Sequence, residues 1–323
     1  MIRNLALFGA ALLMAAGVPA TAQIVGDPPP PAEVTVEEIS AEILAFVDAE
    51  QRMAVPVRVN GTGPYRFIID SGAERTVISR QVAGMLGLAA GPTVTIAAMT
   101  GSHRVDTVRI PSIEIDALPR GQAIEAPSLE RLHLGADGLV GLDSLVGHSV
   151  IIDFDAGEMS VAPSQRKIRA AARDEIVVEA RSLAGRLIVT DARYRGQRIA
   201  VVLDTGTAVS VGNGKLRELV QGRSKTLLPV QMMSVTGRML VADFMAIPSI
   251  AVGSAEFRDL SVAFADVPPF RRLGLDDRPA LFLGMDAMRL FRRVRIDFAN
   301  RQVRFLLPRS AVAARAGARI GSF

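Results

Sequence analysis

The sequence predicts a mostly β protein of two similar lobes, and three observations carry that expectation. An apolar run ending in Asp, a small hydroxyl residue and Gly occurs twice, as Phe67-Ile68-Ile69-Asp70-Ser71-Gly72-Ala73 and as Val201-Val202-Leu203-Asp204-Thr205-Gly206-Thr207. Each copy reads as a strand delivering a carboxylate into a tight turn. Further matches follow in the same order at a growing offset. Asp70 and Asp204 are 134 apart, Thr100-Gly101 and Thr236-Gly237 are 136 apart, and Ile110-Pro111-Ser112-Ile113 returns 137 residues on as Ile247-Pro248-Ser249-Ile250. Gly141-Leu142-Asp143 and Gly284-Met285-Asp286 follow at 143, and Ile152-Asp153-Phe154 and Ile296-Asp297-Phe298 at 144. Collinear self-similarity of this kind is a duplication. The third observation is the spacing of short apolar runs by Gly and Pro signals, which is a β pattern.

The first residues carry Arg3, an apolar run from Leu5 to Val18 and Ala20-Thr21-Ala22. Residues 1–22 therefore read as a cleavable secretory signal, too short in its apolar run to span a bilayer. Residues 23–50 follow as a Pro-rich tether, with Pro28 to Pro31 in one run, and a short helix suggested by Ile39, Ile43, Phe46 and Val47 on one face, with Thr35 and Glu38 as a capping box. The first lobe is placed at 51–165. It opens on a hairpin, with Met53 to Val59 and Tyr65 to Ile69 joined through Asn60-Gly61. A helix follows Ser79, and brief helices follow Gly141 and Gly284.

A polar linker is placed at 166–174, a second lobe at 175–308, and a basic tail at 309–323. The second lobe repeats the hairpin plan from Leu187 through Arg195-Gly196 to Leu203. Between Ile250 and Gly284 the offset grows by six residues, from 137 to 143, around Pro268-Pro269-Phe270-Arg271-Arg272 and Asp276-Asp277-Arg278-Pro279. That insertion reads as a surface loop.

The duplication supplies four matched carboxylate pairs. Asp143 and Asp286 follow Gly before short apolar segments and read as helix N-caps. Asp153 and Asp297 sit in hairpins, and Asp106 and Asp243 stand before strands. Asp70 and Asp204 differ, because each ends an apolar strand inside a hydroxyl-Gly turn, where a carboxylate must be hydrogen-bonded or neutralised. Ser71 and Thr205 can brace the turns, and Gly72 and Gly206 permit close approach. Brought together across a pseudo-twofold axis, two such carboxylates share one proton and can act as base and acid on water and a carbonyl. Ala73 and Thr207 break the symmetry. A Thr207 hydroxyl donating to its carboxylate would lower the pair's pKa, and Ala73 has none to give, so the proton should persist to mildly acidic pH.

These features resemble the bacterial aspartic proteases of the retropepsin/pepsin clan, over about Met53 to Pro308. The strand-Asp-Ser/Thr-Gly turn in both halves carries the resemblance, together with Leu139-Val140-Gly141 and Phe282-Leu283-Gly284, which in that family thread behind the catalytic turn. The resemblance implies two acid-protease-like β-barrel lobes related by a pseudo-twofold axis. It implies Asp70 and Asp204 as catalytic residues supported by Ser71, Gly72, Ala73, Thr205, Gly206 and Thr207. It also implies flaps at Met99, Thr100 and Gly101 and at Val235, Thr236 and Gly237, contacting a protein or peptide substrate. The flap Tyr of pepsin-like enzymes has no counterpart here, which favours a retropepsin-like cleft.

The remaining composition narrows the alternatives. With 49% hydrophobic and 22% charged residues the chain is ordinary globular protein. Cys is absent, so disulfides and thiolate chemistry are excluded. Net charge is +4, with two Tyr and no Trp, which argues against a nucleic-acid partner. His103, His133 and His148 form no metal-ligand motif, so neither metal nor cofactor is expected. Ser144 and His148 lack a nucleophile elbow. The sequence thus points to an aspartic endopeptidase, periplasmic or secreted, acting as a monomer without stable membrane insertion. The alternative is an inactive peptide-binding or scaffold protein on the same fold.

Overall fold

The computed structural model describes residues 22–24, 54–115, 123–164, 170–183, 185–189, 191–221 and 228–309. The expected signal up to Thr21, the tether and helix between 25 and 53, much of the linker and the tail beyond 309 lie outside the described residues. Ala22–Ile24 pairs antiparallel with the strand Ala255–Phe264, with Ala22 opposite Phe257. No helix among the described residues is long and apolar enough to cross a membrane.

The protein is mostly β, in two similar β-barrel lobes. In the first, Ala54–Val59 pairs with Thr62–Ile69 through a two-residue turn at Asn60 and Gly61, both at positive φ (49° and 74°). That turn matches strand twist, which is why Asn-Gly signals a hairpin. Thr62–Ile69 then pairs in parallel with Gly138–Val140, which also pairs antiparallel with Val77–Ser79. Val77–Ser79 lies beside Ile124–Leu129, and that strand beside Thr107–Ile110.

The second lobe repeats this order element by element. Arg186–Val189, Ala200–Leu203, Ala280–Leu283, Ser210–Gly212, Ala255–Phe264 and Met239–Val252 lie side by side. Phe67, Ile69, Val140, Val201, Leu203 and Leu283 on one face are at most 1% exposed, and Ile68, Leu139, Val202 and Phe282 on the other at most 4%, so each central strand is buried on both faces. Continuous apolar runs are the expected sequence of such strands.

Each lobe packs one longer helix against these strands. Arg80–Met85 is capped by Ser79, whose Oγ accepts from Val82 N at 3.2 Å. Its counterpart, Gly214–Gln221, is capped by Asn213, whose Oδ1 accepts from Leu216 N at 2.9 Å.

The lobes join through a shared sheet. His148–Asp153 of the first lobe pairs antiparallel with Arg293–Asp297 of the second, and Ile151 faces Arg295. These residues are 144 apart, the offset of the repeat in this segment, so the pseudo-twofold axis passes between them. The flanking bonds obey the same symmetry. Phe154 N donates to Arg292 O at 2.8 Å, and Phe298 N donates to His148 O at 3.2 Å. Asp153 and Asp155 add ion pairs to Arg293 and Arg292 across the joint.

The surface-loop expectation holds for Asp276 to Arg278, an exposed turn, and fails for the stretch before it. Pro268–Arg272 is a short helix with Pro in its first turn, and Phe270 is 1% exposed against Phe282, with ring centroids 4.5 Å apart. The buried Asn213 amide donates to Leu275 O at 2.8 Å and Arg278 O at 2.7 Å, and its Oδ1 accepts from Ala280 N at 3.0 Å. The segment is therefore anchored from beneath.

Candidate active site

Each aspartate is placed by the strand before it and by the strand threaded beside that one. Phe67, Ile68 and Ile69 stand opposite Gly138, Leu139 and Val140, and Asp70 N donates to Val140 O at 2.9 Å. In the second lobe Asp204 N donates to Leu283 O at 3.1 Å. Gly141 follows Val140 because the chain there runs against the turn's own backbone. A Cβ on Gly141 would lie 2.4 Å from the Arg75 carbonyl carbon.

Within the turns, Asp70 Oδ1 accepts from Gly72 N at 2.8 Å and Ala73 N at 3.0 Å, and Asp204 Oδ1 accepts from Gly206 N at 3.0 Å. The two turns then clasp each other reciprocally. Ser71 N donates to Thr205 Oγ1 at 3.0 Å, and Thr205 N donates to Ser71 Oγ at 3.0 Å. Ser71 Oγ donates to Leu203 O at 3.0 Å, and Thr205 Oγ1 donates to Ile69 O at 2.7 Å. Both hydroxyls are buried, at 2% and 4% exposure, so each satisfies backbone groups of the opposite lobe that water cannot reach.

This clasp brings the carboxylates together. A Cβ on Gly72 would fall 2.6 Å from both oxygens of Asp204, and one on Gly206 would fall 2.2 Å from Cγ of Asp70. Each carboxylate thus rests on the glycine of the other turn. Burial, and then the neighbouring Asp70 charge, push the Asp204 carboxyl up, to about 7. The backbone N–H of Gly206, the Arg186 guanidinium and the backbone N–H of Thr207 oppose that rise.

Three sequence expectations need correction. The Thr207 hydroxyl donates to Val209 O at 2.9 Å rather than to Asp204, so the Ala73/Thr207 difference does not set the pair's proton affinity. The caps of the short helices Leu142–Leu145 and Met285–Met288 are Gly141 and Gly284, without a side-chain cap bond. Asp143 and Asp286 instead hold the far ends of the turns. Asp143 Oδ1 accepts from Thr76 Oγ1 at 2.7 Å and Thr76 N at 2.9 Å; Asp286 accepts from Ser210 Oγ at 2.8 Å and Ser210 N at 3.0 Å. Asp243 lies inside Met239–Val252, ion-paired to Arg217, rather than ahead of a strand.

Above the aspartates, Val94–Ala98 with Gly101–Val105 and Leu228–Met233 with Met239–Val252 form two hairpins whose tips meet. Thr100 Oγ1 lies 3.5 Å from Thr236 Oγ1, and Gly237 lies against the His133 ring. Of the expected flap residues, Met99 and Val235 line the cleft, while Thr100, Gly101, Thr236 and Gly237 belong to the tips. Apolar side chains surround the carboxylates, among them Ile96, Leu139, Met232, Leu240 and Phe282.

Sequence reasoning missed Arg186. It is buried at 6% exposure, and its Nε donates to Gly72 O at 3.1 Å, so a second-lobe side chain holds the first-lobe turn. It also reaches Glu74 at 3.3 Å. The missed signal was its spacing, 18 residues before Asp204, which Arg52 repeats before Asp70.

A family model described as aspartyl protease matches residues 55–144 and again residues 190–287. The two stretches cover more than half of the chain, which belongs to the aspartyl protease family. No curated protein matches the sequence.

Proposed function

We propose that this protein is an aspartic endopeptidase in which Asp70 and Asp204 share one proton and activate a water. The observation that carries the reading is the reciprocal clasp, which seats each carboxylate on the other turn's glycine in a buried, apolar cleft. The ionised member takes a proton from water as the oxygen attacks the peptide carbonyl carbon, and the protonated member gives its proton to the carbonyl oxygen. Collapse of the tetrahedral intermediate breaks the C–N bond, with a proton delivered to the leaving nitrogen. Ser71 and Thr205 hold the two turns in register, and the turns Met99-Thr100-Gly101 and Val235-Thr236-Gly237 close over the bound chain. The protein acts as a monomer in the periplasm or outside the cell, after removal of residues 1–22.

Incubation of the purified protein with a mixed library of short unstructured peptides, read by mass spectrometry from pH 4 to pH 8, tests the reading. Cleavage within apolar stretches is expected, with kcat/KM falling as pH rises through about 7, where the pair loses its proton. Thr207→Ala is expected to leave that midpoint in place, because its hydroxyl bonds Val209 O. A folded protein that binds these peptides yet cleaves none at any pH would instead be a peptide-binding module.

A further inference from the structure

The second lobe puts into the cleft a cation that the first lobe does not match: the helix Pro268–Arg272 occupies the place that Arg131–Leu134 has in the first lobe, and only the second-lobe helix lines the cleft. This helix packs against the flap strand Val94–Ala98 of the opposite lobe, and Pro269 and Arg272 form part of the cleft wall. Arg272 Nη2 donates to Glu74 Oε2 at 3.3 Å, while the other oxygen of Glu74 receives Arg186 at 3.3 Å. Glu74 is therefore shared between two guanidinium groups. The adjoining Arg75 also lines the cleft and donates to the backbone carbonyl of Glu125 at 2.6 Å, with no carboxylate partner among the described residues. This end of the cleft holds three cations against one anion, only four residues along the chain from Asp70. Counting the whole lining, with one proton shared by the aspartates, three cations face two anions.

Arg186 is buried and its donors are directed to Gly72 O and Glu74. Arg272 is different. Its side chain is 48% exposed, and a single long contact to Glu74 uses one of its five N–H donors. An ion pair of that kind contributes little as a structural strap. It leaves a planar donor fork open for a second carboxylate.

We propose that this end of the cleft binds a substrate carboxylate, so that the preferred peptides carry Glu or Asp at one position beside the apolar residues flanking the cleaved bond. Arg272 is the specificity-determining residue and Arg75 supports it. The inference rests on the endopeptidase reading for turnover, and on the cleft alone for binding.

The test uses octapeptides with a central apolar pair, in which one residue is Glu or its neutral isostere Gln, scanned through every other position. Binding to the Asp70→Asn protein is measured by fluorescence anisotropy, and turnover by the unmodified protein is measured in parallel. At one position Glu is expected to bind about tenfold more tightly than Gln, with the advantage shrinking between low and high salt. Arg272→Gln is expected to abolish that advantage while leaving affinity for the Gln peptide unchanged; Arg272→Lys should retain part of it. Equal binding of Glu and Gln at every position overturns the proposal, as does a preference that survives in Arg272→Gln. Acid-selective binding without any cleavage would remove the endopeptidase reading and leave this one standing.

Discussion

Asp70→Asn and Asp204→Asn are each expected to lower peptide hydrolysis by about 10³-fold or more, since an amide can neither take a proton from water nor return one. Asp204→Asn is expected at the same time to raise thermal stability above neutral pH. The sign follows from burial. The folded protein holds the Asp204 proton up to about 7, whereas an unfolded chain releases it near about 4. Between those limits the folded state binds more protons than the unfolded state, so stability falls as pH rises through the window and the loss is complete above it. The amide introduced by Asp204→Asn cannot ionise, and its oxygen can still accept from Gly206 N, so the variant escapes that loss. Tm measured at pH 4.5 and pH 8 should separate the two proteins chiefly at the higher pH. A variant no more stable than the parent at pH 8, or one that still cleaves, would sink the paired-carboxylate account.

Gly206→Ala has the next largest expected effect. Its Cβ would stand 2.2 Å from Cγ and Oδ1 of Asp70, far inside van der Waals contact. The carboxylate cannot swing aside without giving up the bonds from Gly72 N and Ala73 N. A displacement of about 1 Å at the reacting group is expected to reduce kcat/KM about 10²-fold, and overpacking to cost about 1–3 kcal/mol of stability. Gly72→Ala should act in the same direction and less severely, because its Cβ would meet the Asp204 oxygens at 2.6 Å. Denaturant unfolding and peptide kinetics on the two variants check the order. Full activity in Gly206→Ala would mean that the turns do not approach as described.

What was legible in the sequence was what repeats and what is local. The strand-to-turn segments at Asp70 and Asp204 announce themselves because a strand buried on both faces must be apolar throughout and its turn must contain Gly. The hairpin at Asn60-Gly61 and the helix after Ser79 follow from local residue preferences. The roles that went unread depend on partners distant in the chain. Asp143 looks like any acidic residue after Gly, and only the fold brings Thr76 to it. Thr207 offers a hydroxyl, but the path of the backbone gives it Val209 O instead of a carboxylate. The helix Gly214–Gln221 was hidden because Asn213-Gly214 is as good a turn signal as a cap. The insertion looked like a loop because Pro-Pro and Asp-Asp clusters are common in loops, and nothing local shows that Phe270 is buried.

The helix Pro268–Arg272 also bears on how a peptide is oriented. Two identical lobes would present a cleft that looks the same after half a turn, whereas a polypeptide has an amino end and a carboxyl end and no such symmetry. A strictly twofold cleft therefore admits the same chain in either direction. In this protein the helix Pro268–Arg272 lines the cleft while its first-lobe counterpart, Arg131–Leu134, does not, so the two ends of the cleft are chemically distinct. A given acidic residue meets Arg272 when the chain is bound one way and lies at the other end when it is reversed. Divergence of the two copies after duplication thus turns a groove without a sense of direction into one that reads its ligand from a fixed end. An acidic peptide and the same sequence written backwards should be bound with different affinities, and Arg272→Gln should bring the two closer together.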